Sequence, residues 1–244
     1  QLDPDTGELH AICYDWRSLR DHVRYLVIDK TGALKSEVKI PLPHMSMIHN
    51  MSITNHYAVI YDLPVRLSFK ALATRSSFPF RWSEKHEPRI GLLPRNGNAK
   101  DIVWNSIKPN YAFHPMNAYE DTDGRVIIDI IRYDNVFKSD IHGPLGDSPP
   151  RLDRWSINPL LRTVTEDKID QRAQEFPRCN PSFNGKPYSI GYTIAVDPKY
   201  GFPTIYKHDL ERGMTNEYTF GPGKHVGETV FIPAASTQCE DDGY

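Results

Sequence analysis

The sequence predicts an all-β protein, and three observations carry that expectation. Runs of β-branched and aromatic residues recur along the chain, each closed by a Gly, Pro or Asn turn. Proline and glycine number 20 and 15 in 244 residues, which punctuates the chain too often for long helices. No long segment shows the apolar spacing of an amphipathic helix. Short hairpins in such succession suit a sandwich, a barrel or a propeller. Internal repeats are too weak to count blades.

The segments follow in order. Residues 24–42, "RYLVIDKTGALKSEVKIPL", read as strand, turn at Thr31–Gly32, strand. Residues 56–69, "HYAVIYDLPVRLSF", form a β-rich run broken near Pro64. Residues 68–97 mix aromatics, prolines and charges, and read as an irregular excursion that returns in the strand "RIGLLPR". Residues 119–134, "YEDTDGRVIIDIIRYD", place a turn at Asp123–Gly124 before a Val/Ile run. A loop, "KSDIHGPLGDSPP", leads to residues 151–169, a strand pair turning at Asn158–Pro159. Residues 186–210 repeat the form. Since β patterning continues on both sides of each irregular stretch, residues 1–244 are expected to be a single domain.

Composition narrows the function classes. Hydrophobic residues make up 39% and charged residues 25%, the balance of a globular chain. No run approaches the roughly 18 apolar residues of a membrane helix. "QLDPDTGELHAICYDW" lacks the basic-then-apolar order of a signal peptide. A net charge of -2 argues against a nucleic-acid partner. Cys13, Cys179 and Cys239 are too few and too scattered for a disulfide framework, so reduced thiols in a cytoplasmic protein are expected. The sequon at Asn50 is taken as chance. The missing initiator Met and the abrupt end suggest a chain cut at both ends.

Nucleotide and nucleophile motifs are lacking. "GPGKHVG", Gly221 to Gly227, departs from the phosphate-loop pattern and reads as a turn. There is no nucleophile elbow and no cysteine pairing spaced for zinc. Histidines and glutamates remain. His49 in "SMIHNMSIT" and His114 in "YAFHPMNAYED" sit among apolar residues in strand patterns. An imidazole there needs a partner. A metal ion supplies one, and a satisfied core histidine accounts for it equally well. Glu175 in "RAQEFPRCN" and Glu228 in "HVGETVFIP" each precede apolar groups. A carboxylate can take the second N–H of a metal-bound histidine, or simply cap a turn.

Taken together, "DPDTGEL", "MIHNMSITNHYAVIYDLPV", "RIGLLPR", "FHPMNAYED", "GRVIIDIIRYD", "LDRWSI", "EFPRCNPSFNGKPYSIGYTIA", "GETVFIP" and "EDDGY" resemble, in order, the carotenoid cleavage oxygenase family. The resemblance spans Asp3 to Tyr244. It implies a seven-bladed β-propeller, incomplete here, with non-haem Fe(II) on its axis held by four histidines. By motif, His49 and His114 match two of those ligands. Glu175 matches the glutamate that supports the His114 position, and Glu228 matches a second supporting glutamate. The phrase after His49 is Asn50-Met51, where the family commonly has Asp-Phe. His44 and His56 match no ligand.

The first and fourth family histidines fall outside the chain, as does one glutamate. The chain alone is therefore expected to be inactive. The implied activity is O₂-dependent cleavage of a conjugated double bond in an apocarotenoid or lignin-derived stilbene, with no organic cofactor. A non-catalytic propeller module and an isomerase of the same family are the alternatives. Phe78, Phe80 and Trp82 are candidates for an apolar tunnel, for peripheral membrane contact, or for core packing.

Overall fold

The structure, a computed structural model, describes residues 1–15, 21–197, 199, 201–221, 223–236 and 239–244. Its sheets are antiparallel throughout and succeed one another along the chain. The first pairs β1 (Leu9–Cys13), β2 (His22–Ile28) and β3 (Leu34–Pro41). The second orders β4 (Met51–Ile53), β5 (Tyr57–Asp62), β8 (Arg89–Pro94) and β9 (Val103–Ser106). Between β5 and β8 runs an excursion holding β6 (Val65–Leu67), the short helix α1 (Phe69–Ala73) and β7 (Phe80–Trp82), with β6 paired to β7. The third sheet is a meander of β10 (Pro115–Glu120), β11 (Val126–Arg132), β12 (Arg151–Asn158) and β13 (Thr163–Asp170). The fourth is a meander of β14 (Gln174–Cys179), β15 (Ile190–Ala195), β16 (Thr204–Asp209) and β17 (Met214–Thr219).

One turn device closes several hairpins. A side-chain oxygen at the turn's first residue accepts backbone N–H groups two to four residues on. Asp29 Oδ1 takes Thr31 and Ala33, Asp121 Oδ1 takes Asp123 and Arg125, and Asn158 Oδ1 takes Leu160 and Leu161. Gly32 and Gly124 then adopt φ of +87° and +75°, open to glycine without a Cβ penalty. Arg162 takes φ of +54° at the corresponding corner without that freedom. In "GPGKHVG", Lys224 N–H returns to the Gly221 carbonyl as a turn, and Pro222 lies outside the described residues.

Period-2 alternation assembles the core. On β5, Ala58 and Ile60 join Val23, Tyr25, Val27 and Ile40 of the first sheet in one cluster. Val59 and Tyr61, pointing to the other face, join Val126, Ile128, Ile130, Trp155 and Ile157 of the third sheet in another. Successive sheets are thereby cemented face to face. β11 is buried along nearly its whole length, while β17 is almost wholly exposed. The fourth sheet buries a polar set instead, Gln174, Thr193, Thr204 and His208. Within the excursion Phe80 is buried and Phe78 and Trp82 pack on the core, whereas Phe69 stays 69% exposed.

Candidate metal centre

β4, β10 and β14 each open a four-stranded sheet, and they lie side by side. His49 stands two residues ahead of β4, His114 directly ahead of β10, and Glu175 is the second residue of β14. The packing of three leading strands therefore brings three residues together that lie far apart in sequence. His49 and His114 meet edge to face, ring centroids 5.0 Å apart at 87°. Phe113 stands edge-on to His49, centroids 5.3 Å apart. The strand pattern around His49 begins only at Met51, so its ring projects from the entry loop and keeps an exposed edge. That loop is pinned by Met47 N–H to the Val65 carbonyl and by the buried Tyr111 hydroxyl, which donates to the Met47 carbonyl at 2.8 Å.

His114 Nδ1 lies 2.7 Å from Oε2 of Glu175. An ionised carboxylate only accepts, so Nδ1 carries a proton, and in the neutral ring this leaves the lone pair on Nε2. Glu175 is 4% exposed, and a buried carboxylate needs donors. It has three: His114, the Phe176 N–H to Oε2 at 2.6 Å, and the Tyr133 hydroxyl to Oε1 at 2.7 Å. A register shift between Glu175 and Arg178 and a φ of +54° at Phe176 let that N–H turn back on the carboxylate. The Phe176 ring then packs on His114, centroids 5.4 Å apart.

Partial desolvation holds the His49 imidazole below its ordinary pKa, a proton on the neighbouring His114 would lower it further, and Glu175 opposes this. His49 is thus biased toward the neutral form that ligates metals. The donor set fits a shared cation: imidazole–metal bonds of about 2.1 Å, as zinc makes, would put ring centres on one ion about 5 Å apart. Among the described residues no group of three or more His, Cys, Asp or Glu gathers for a metal, and those at this place are two imidazoles and one braced carboxylate.

Glu228 lies elsewhere. Its carboxylate is 40% exposed and takes Arg178 Nη2 at 2.8 Å, tethering its loop to β14. His44 lines a cavity of about 610 Å³ beside Trp82, and His56 pairs with Glu120 at 2.6 Å. Tyr133 and Phe176 escaped sequence reasoning. The partner of the Tyr133 hydroxyl lies 42 residues away, and nothing in "IIRYD" signals it.

The braced pair of imidazoles thus stands at the leading ends of antiparallel sheets in an all-β protein. Its family follows from comparison. The retinal pigment epithelial membrane protein family matches residues 1–244, and the chain belongs to it. A carotenoid cleavage oxygenase from Mycobacterium tuberculosis is 34% identical over 294 residues, covering 100% of this chain and 58% of that protein. The crystal structure of Pseudomonas brassicacearum lignostilbene dioxygenase superposes with a TM-score of 0.87 at 26% identity, covering 100% of this chain and 55% of that one. A cobalt-substituted Synechocystis ACO gives 0.82 at 28% identity, covering 96% and 50%. The chain spans about half the length of the relatives it matches. No described helix is long and apolar enough to cross a membrane.

Proposed function

We propose that this chain forms part of a non-haem Fe(II) dioxygenase that cleaves a conjugated C=C bond of an apocarotenoid or lignin-derived stilbene into two carbonyl products. The observation that carries this is the His49–His114 pair with Glu175 on the second nitrogen of His114. The relatives' names support the substrate class, and the cobalt-substituted relative supports a transition metal. Imidazole donors suit iron by ligand type. His49 and His114 would hold the ion, and the remaining donors are proposed to come from outside these 244 residues. Bound iron would supply the O₂ chemistry.

The chain's own residues do the preparatory work. Glu175 fixes the His114 tautomer and orientation. Phe113 packs edge-on to His49 and Phe176 packs on His114, giving the two rings apolar neighbours. Glu228 is proposed to support a further histidine by leaving Arg178. The four sheets are proposed as consecutive blades of a seven-bladed propeller, one partial domain over residues 1–244. A cytoplasmic setting suits the free thiols of Cys13, Cys179 and Cys239. Peripheral membrane contact would fall to the exposed Phe69.

The test is His114→Ala in the whole protein, with iron content and product formation measured. Loss of both is expected. Iron at the wild-type level in that variant would overturn the assignment.

A further inference from the structure

Burial alone does not aim a glutamate. Its carboxylate can turn about the last side-chain bond, and only placed donors choose which oxygen faces the histidine. Among the described residues, Tyr133 is the sole donor to Oε1 of Glu175. Tyr133 is itself closely packed: it is 1% exposed, and Phe113 stands edge-on to it with centroids 5.4 Å apart. Its backbone exchanges both hydrogen bonds with Tyr111, at 2.9 and 2.8 Å. Tyr111 in turn holds the loop leading to His49 through the Met47 carbonyl. Two residues before Tyr133, the Ile131 N–H donates to the His114 carbonyl at 3.1 Å. One tyrosine thus joins the backbone beneath both histidines to the carboxylate behind one of them.

We propose that Tyr133 is a positioning residue of this centre: its hydroxyl holds Oε1 of Glu175, which turns Oε2 to Nδ1 of His114 and fixes that ring edge-on to His49. The proposal rests on the metal-centre reading above. Tyr133 acts through Glu175 and takes no part in bond making.

Tyr133→Phe in the whole protein removes one oxygen and keeps the ring. A purely structural tyrosine would cost stability too, so a matched control is needed. Tyr188→Phe provides it, because the Tyr188 hydroxyl donates at 2.7 Å to Asp129, a buried carboxylate whose partners among the described residues include no histidine. Three quantities are measured: thermal midpoint, Co(II) affinity by visible absorption, and the ¹⁵N tautomer pattern of His114 without metal. Both variants should lose similar stability. Only Tyr133→Phe should weaken Co(II) binding, by about tenfold, and shift His114 away from the Nδ1–H form. In a Glu175→Gln background its effect on Co(II) should vanish.

If Tyr133→Phe matches Tyr188→Phe in Co(II) affinity and keeps the wild-type ¹⁵N pattern, Tyr133 is structural and the proposal fails. If wild type binds no Co(II), or His114→Ala binds it unchanged, the metal reading fails instead. The metal-free ¹⁵N comparison then decides the Tyr133–Glu175–His114 linkage on its own.

Discussion

His208 makes the strand that carries Glu175 sensitive to acid. The imidazole is 1% exposed on β16. Its Nε2 lies 2.9 Å from Thr193 Oγ1, whose proton goes to Gln174 Oε1 at 2.7 Å, and Gln174 immediately precedes Glu175. Its Nδ1 lies 3.0 Å from Thr215 Oγ1. Burial lowers its pKa from 6.5 to about 4, with Asp170 opposing and Arg172 assisting. The unfolded chain therefore binds a proton that the native state refuses between those values. Stability from this group is complete above the unfolded value and is lost as pH falls toward the folded one. Linkage makes the loss about 2 kcal/mol by pH 5 and about 3 kcal/mol by pH 4. His10, buried beside Arg95 and likewise lowered to about 4, adds a similar fall in the same window.

Carboxylates act later. At Asp3, burial is outweighed by hydrogen bonds from Arg95 and the backbone, which hold it at about 2. The assay is urea unfolding at several pH values for wild type and His208→Gln. The variant's loss between pH 7 and pH 4 should be smaller by about 2–3 kcal/mol. Equal losses in the two proteins would refute a buried neutral His208.

Asp129→Ala should cost about 2–3 kcal/mol, because it removes a buried carboxylate that pairs with the part-buried Arg154 and accepts the Tyr188 hydroxyl. Arg154 grips both Asp129 oxygens at 2.7 and 2.8 Å, so urea unfolding showing a loss below about 1 kcal/mol would contradict that. Asn117→Ala should cost about 2–3 kcal/mol by orphaning buried backbone groups. Its side chain bonds the carbonyls of Phe183 and Lys186 and the N–H of Gly185, and faster amide exchange at Gly185 should accompany the loss.

Turns were the most legible part of the fold, because their chemistry is local. Asp121 and Gly124 write the β10–β11 hairpin within a few residues. β17, "MTNEYT", has no apolar run to announce it, since its outer position leaves it the backbone ladder to β16 and a few polar side-chain contacts, Thr215 with His208 and Thr219 with Thr204. β1, only five residues long, is likewise not anticipated, and it is set by its register to β2. The site followed the same rule at longer range. "FHPMNAYE" is legible as a phrase because each polar residue in it has a distant partner. His114 meets Glu175, Asn117 ties down residues 183–186, and Glu120 receives the Thr54 hydroxyl and the His56 N–H. "DPDTGEL" and "RIGLLPR" are likewise joined, through Asp3 and Arg95. Such phrases record contacts between sheets that no periodicity shows. Tyr133 stayed hidden because the β11 run around it is explained fully by burial. One hydroxyl at the end of an apolar strand leaves no pattern, although it reaches the carboxylate on which His114 depends.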